Sequence, residues 1–181
     1  MNLWSEIKTW KQEQFTRYEV AWIRYVSPDG HTTVEAAASS SIGYGASIGD
    51  GASIGYGASI GNRASIGDGA GIGDGASIGD RASIGDGASI GDGASIGYGA
   101  SIGKDELWMC IGPLGSEGRT LTIVRGKNGV SCYTGCFAGT DAEFLAAVAK
   151  KHGDRPLGVG YKKALEFAKA QFASKTGKEA Q

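Results

Sequence analysis

Several things are scarce in this chain. Among its 181 residues are three cysteines, three prolines, two methionines and two histidines. A small, odd number of cysteines does not make a disulfide framework. No apolar run approaches the roughly 20 residues that span a bilayer. The opening residues, Met1-Asn2-Leu3-Trp4-Ser5-Glu6-Ile7-Lys8, do not have the basic start and apolar run of a secretory leader. The expectation is a cytoplasmic protein off the membrane. Net charge is -1, with Lys+Arg 18 against Asp+Glu 19, so no overall field draws in nucleic acid or anionic lipid. With only His31 and His152, few side chains are suited to proton transfer near neutrality.

What is abundant is glycine, at 32 residues, most of it in one repeated phrase. From Ile42 to Gly103 the chain reads Ile-Gly-x-Gly-Ala-Ser. Isoleucine recurs every sixth residue, eleven times, and glycine follows each one. Alanine stands four residues after each Ile from Ala46 to Ala100, and serine comes next except at Gly71. A bulky β-branched residue at a fixed period implies that each hexad buries one Ile and one Ala in a shared core. In Ala-Ser-Ile, alternation puts Ala and Ile on one side and Ser on the other. Gly-x-Gly turns the chain. One such strand buries nothing alone, but stacked copies do, with rungs roughly 4.8 Å apart.

The phrase resembles the hexapeptide repeat of left-handed parallel β-helices, in which three hexads make one triangular coil. The resemblance covers about 65 of the 181 residues. It implies three to four coils and a homotrimer. Ala36 to Ser41 reads as a degenerate twelfth hexad. The expected fold is mainly β: a left-handed parallel β-helix, an N-terminal helix and hairpin cap, and a small C-terminal α+β domain. The boundaries read as 1–35 for the cap, 36–106 for the β-helix, 107–173 for the α+β domain and 174–181 for a flexible tail.

Around the repeat, residues 2–16 read as a short amphipathic helix, with Leu3, Ile7 and Trp10 along one side. Tyr18 to Val26 and His31 to Glu35 read as strands about a Ser27-Pro28-Asp29-Gly30 turn. Beyond the repeat, Leu107 to Ile111 reads as a strand, Gly112-Pro113-Leu114-Gly115 as a turn, and Arg119 to Arg125 with Val130 to Tyr133 as a hairpin. Thr140-Asp141-Ala142-Glu143 is a capping box for a helix to about Lys151, stopped by Gly153. A second helix after Gly160 carries Tyr161, Leu165, Ala168 and Phe172 on one face. The segments Ile111 to Ser116, Gly135 to Thr140 and Phe144 to Asp154 resemble a small domain of prophage-encoded proteins, which implies a phage protein intercepting a host defence factor.

Three sets of residues are candidates for chemistry. The hexapeptide resemblance implies acyl transfer from acetyl-coenzyme A or acyl carrier protein, with a histidine base near a loop that protrudes from the coils. Here no loop interrupts the repeat and both histidines lie outside it, so a non-catalytic scaffold without a cofactor is the expectation, with acyltransferase as the alternative. Cys110, Cys132, Cys136 and His152 supply metal-ligand types, but their spacing fits no common zinc motif; buried free thiols are the simpler reading. With eighteen residues per coil, turn residues stack in columns. Asp50, Asp68 and Asp86 form an acidic column; Tyr44, Asn62, Asp80 and Tyr98 form another, flanked by Arg63 and Arg81. Tyrosine with arginine is the composition of binding hot spots. That corner is expected to meet a neighbouring subunit, a host protein or a small anionic ligand.

Overall fold

The computed structural model describes residues 2–17, 20–114 and 118–176. The chain forms two compact units, Met1–Asp105 and Glu106–Gln181. Among the described residues no helix is long and apolar enough to cross a membrane.

The first unit opens with β1 (Asn2–Leu3), one helical turn α1 (Trp4–Ile7), and strands β2 (Lys11–Arg17), β3 (Val20–Val26) and β4 (Thr33–Ala37). Eleven short strands, β5 to β15, follow at Ser41–Ile42, Ser47–Ile48, Ala52–Ile54, Ser59–Ile60, Ser65–Ile66, Gly71–Ile72, Ser77–Ile78, Ser83–Ile84, Ser89–Ile90, Ser95–Ile96 and Ser101–Ile102. They stack into three parallel faces: β6-β9-β12-β15, β4-β7-β10-β13 and β5-β8-β11-β14. The register places Ile on Ile and Ser on Ser eighteen residues apart, as in Ile66 beside Ile84 and Ser65 beside Ser83. The result is a parallel β-helix of about four coils, with β4 in the place of the degenerate hexad.

The repeat residues lie as the alternation requires. From Ile48 to Ile102 every repeat isoleucine is at most 3% exposed. Ile42 and Ala94 are half-buried, and both lie in outermost coils. Burial of this column contributes on the order of 1.5–3 kcal/mol per Ile. The two glycines of each hexad do different work. The second takes a positive φ, such as +64° at Gly69. The first is kept small by the next coil: a Cβ on Gly67 would lie 2.5 Å from the Asp86 backbone nitrogen.

The expected N-terminal helix is much shorter than 2–16. Ile7 is fully buried but Leu3 is 43% exposed. Lys11–Arg17 is a strand instead, because it pairs antiparallel with β3 across seven residue pairs, and tertiary pairing overrides a helical spacing of apolar residues. The hairpin read around Ser27 to Gly30 is present, with Val26 opposite Thr33. The β2-β3-β4 ribbon continues one face of the coil, through the parallel pairing of β4 with β7. On another face β1 pairs antiparallel with β6. Tyr18 lies outside the described residues.

The second unit is a four-stranded antiparallel meander, β16 (Leu107–Leu114), β17 (Arg119–Gly126), β18 (Gly129–Thr134) and β19 (Phe137–Thr140), followed by α2 (Asp141–His152) and α3 (Pro156–Thr176). Leu121, Ile123, Cys132, Phe144, Val148, Leu165, Ala168 and Phe172 form its core. The capping box is complete: Thr140 Oγ1 accepts from the Glu143 N–H, and Glu143 Oε2 accepts from the Thr140 N–H at 2.8 Å. Gly153 ends α2 with φ +58°.

Three readings of this unit change. The turn expected at Gly112 to Gly115 is instead an irregularity within β16, which runs on to Leu114; Gly115 is not among the described residues. Strand β19 was not expected; its Ala138 and Phe137 complete the sheet against Tyr133 and Thr134. Helix α3 begins earlier than Gly160, at Pro156, because proline suits the first helical position, and it extends to Thr176.

Candidate functional site

The corners of the β-helix are built by a side-chain-to-backbone ladder. Asp68 Oδ1 accepts from the Asp50 N–H at 3.0 Å, and Asp86 Oδ1 from the Asp68 N–H at 3.0 Å. The second column does the same, with Asp74 accepting from Tyr56 at 2.7 Å and Asp92 from Asp74 at 2.9 Å. In the third, Asn62 accepts from Tyr44 at 2.9 Å and Asp80 from Asn62 at 2.7 Å. An Asx residue at the turn therefore caps a donor one coil back that the strand ladder leaves unused. Asp50 takes the Thr33 N–H at 2.6 Å. Tyr56 stands one coil after Ala38, whose N–H already bonds the Ala21 carbonyl at 2.9 Å. The tyrosine interrupts the Asx pattern where no such donor needs capping.

The third corner departs further from the common phrase. Arg63 and Arg81 stand where other hexads have glycine, and hold φ of +57° and +59°, the only positive values at non-glycine residues among the described ones. Each is fixed by its backbone: the Arg63 N–H donates to the Tyr44 carbonyl and the Arg81 N–H to the Asn62 carbonyl, both at 2.9 Å. The Arg63 stem lies beside Gly45, 3.4 Å from where a Cβ would stand. Arg81 Nη1 donates to the Tyr98 hydroxyl at 2.8 Å, and its guanidinium sits 5.8 Å from the centre of the Tyr98 ring. Tyr44, at the other end of the column, is 82% exposed. The corner thus presents two guanidinium groups one rung apart between two accessible phenols. It suits a carboxylate or phosphate, with planar groups for stacking.

The profile of a family described as Bacterial transferase hexapeptide (six repeats) matches residues 57–89 and again 69–104. The chain carries a hexapeptide-repeat β-helix. No curated protein matches the sequence. The matched residues cover the middle and C-terminal coils, including Asn62, Arg63, Asp80, Arg81 and Tyr98; Tyr44 precedes them.

The candidate metal ligands belong to the second unit, and the three cysteines take three different environments. Cys110 is half-buried, its Sγ 3.6 Å from the Thr122 hydroxyl. Cys132 is in the core, where burial, with a smaller contribution from the nearby Asp141 carboxylate, pushes its thiol up to about 12. Cys136 is exposed. No three Cys, His, Asp or Glu among the described residues gather closely enough to hold a metal ion. Cys136 and His152 both line one cavity. Sequence reasoning named these two but missed Thr134 and Lys151 beside them. The signal for Lys151 was present: it follows Phe144 and Val148 at helical spacing on the inner side of α2.

His31 is exposed in the turn of the first unit, its backbone N–H donating to Asp29 Oδ1 at 3.1 Å. The Ser27 hydroxyl, which also donates to Asp29, is the main cause that holds the Asp29 carboxyl below its usual range.

Proposed function

We propose that the protein is a non-catalytic β-helix scaffold, assembled as a homotrimer, that holds an anionic group of a partner at the Tyr–Arg corner. The observation that carries the reading is the backbone at Arg63 and Arg81. A non-glycine residue in the left-handed region costs of order 1 kcal/mol, and eight repeat hexads use glycine at this turn instead. Strain of this kind at two stacked residues of one corner points to a use for their side chains. Hexapeptide-repeat proteins commonly form trimers, which supports three copies side by side. The resemblance drawn from the sequence segments of the second unit to prophage-encoded proteins is what suggests a host factor as the partner.

The family description favours a second reading, an acyltransferase. In this chain the Asx side chains of the β-helix corners are engaged in the corner ladder, and the two histidines lie in a surface turn and in the second unit. Both features weigh toward binding.

The variant Arg63→Gly/Arg81→Gly separates the readings, because it restores the common turn and should keep the fold. The wild type should scatter light as a trimer and bind citrate, read by NMR at the arginine Nε–Hε resonances; the variant should remain a trimer and lose citrate. Collapse of the variant to monomers would make the corner a subunit interface and not a partner site. Consumption of acetyl-coenzyme A with an amine acceptor, abolished by His31→Ala or His152→Ala, would overturn the non-catalytic reading.

A further inference from the structure

The second unit contains a cavity of about 300 Å³ between the β18–β19 turn, α2 and α3. Its size is at the lower end of small-molecule sites. One side is aromatic. Phe137 meets Phe144 edge to face at 5.5 Å between ring centres, and Phe144 meets Tyr161 in the same way at 5.8 Å. The lining also holds Arg119, Lys151, His152 and Thr134, with no carboxylate among the lining residues. Lys151 makes no ion pair among the described residues.

Two details show that the polar side is built rather than incidental. Thr134 Oγ1 is buried and has no hydrogen-bond partner among the described residues. A buried hydroxyl without a partner is costly, and an acceptor within the cavity would satisfy it. Gly135, at φ +55°, lets the Arg119 guanidinium lie close against the turn: a Cβ there would stand 3.3 Å from Nε and Nη1. The turn therefore places a guanidinium group beside Gly135, on the wall of the cavity that Thr134 also lines.

We propose that this cavity binds a small aromatic carboxylate, its ring against Phe137, Phe144 and Tyr161 and its carboxylate toward Thr134, Arg119 and Lys151. The proposal concerns the second unit by itself and does not depend on the reading of the Tyr–Arg corner.

Cys136, exposed and on the cavity wall, reports occupancy. Burial raises both Cys110 and Cys132, so alkylation by iodoacetamide at neutral pH reads Cys136. In the full chain, naphthoate should bind saturably at one site, slow alkylation of Cys136, and do so far better than the neutral naphthamide. Thr134→Val and Lys151→Ala should each weaken naphthoate by about tenfold, the loss of one charge-assisted hydrogen bond, without changing the weak binding of naphthamide. Equal protection by naphthoate and naphthamide would reduce the site to an apolar cleft and overturn the proposal. So would absence of protection by naphthoate at millimolar concentration in the wild type, a result that needs no variant to fold.

Discussion

The backbone N–H of Asp50 donates to Oδ1 of Asp68, eighteen residues further along the chain, at 3.0 Å. This bond explains why Asp and Asn occupy most of the variable places in a repeat that is otherwise nearly fixed. The strand bonds use the donors of the residues on either side: Gly49 gives its N–H to the Ile66 carbonyl and Gly51 to the Thr33 carbonyl. The donor of the residue between them turns outward, and only a short side chain with an oxygen, coming from the next coil, meets it. Like charges thus accumulate in a column because each carboxylate is wanted as an acceptor.

Acceptor and charge are separable by mutation. Asp68→Ala should destabilise the β-helix by about 0.5–1.5 kcal/mol, the net value of a hydrogen bond whose donor can turn to water. Asp68→Asn keeps the oxygen, as Asn62 does in its own column, and relieves repulsion from Asp50 and Asp86. It should be as stable as the wild type, or more so at low salt. Urea melts of the three proteins decide. Equal losses for Ala and Asn would mean that the charge itself matters.

Two glycine substitutions should move stability in opposite directions. At Gly67 a Cβ would stand 2.4 Å from Asp86 Oδ1 and 2.5 Å from its backbone nitrogen. Gly67→Ala must push two coils apart, at about 1–3 kcal/mol or more. Gly71 replaces the usual serine within a strand, and a Cβ there meets nothing within 4 Å. Gly71→Ser should raise stability by about 0.5–1 kcal/mol, because glycine loses more freedom on folding. Differential scanning calorimetry of both variants checks this, and a destabilised Gly71→Ser contradicts it.

At Arg81 the backbone and the side chain pull in different directions. Arg81→Gly relieves φ +59° but enlarges the freedom of the unfolded chain, so stability should stay within about 0.5 kcal/mol of the wild type. Arg81→Val puts a β-branched residue into the left-handed region and should cost about 1–2 kcal/mol. A stable Arg81→Val would mean that the turn does not hold the left-handed conformation in solution.

How much was legible depended on whether the information was local. The β-helix was, because Ile, Ala and Gly recur at one spacing and all copies answer to the same core. The capping box at Thr140 and Glu143 was legible for the same reason, since its partners are three residues apart. Lys11–Arg17 was not: its strand state comes from pairing with Val20–Val26, while Leu3, Ile7 and Trp10 carry a helical spacing in which only Ile7 is fully buried. The composition of the Tyr–Arg corner was visible from the column arithmetic, but not the Arg81–Tyr98 bond or the left-handed backbone. The cavity of the second unit could not be read as a site: Lys151 carries the helical spacing of Phe144 and Val148, but Thr134 belongs to no spaced motif, and the two line one cavity only through the packing of α2 on the meander.

The second unit should lose stability in acid through two carboxylates at the start of α2. Asp141 Oδ2 accepts from Lys169 Nζ on α3, and this bond holds its carboxyl below the usual range. Glu143 is held low chiefly by the Thr140 N–H, then by the Thr140 hydroxyl. Both folded values lie below the unfolded ones, about 3.9 for Asp and 4.3 for Glu. Their contribution is therefore fully present above those unfolded values and is lost as pH falls through the folded ones, so the unit weakens below about pH 4. Hydrogen exchange of the α2 amides, measured at neutral pH and in acid, reports this locally. In Asp141→Asn/Glu143→Gln protection should be lower than in the wild type at neutral pH and fall less on acidification. If the variant loses as much protection in acid as the wild type does, these two groups are not the cause, and the Lys169 bridge adds nothing to the hold of α3 on α2.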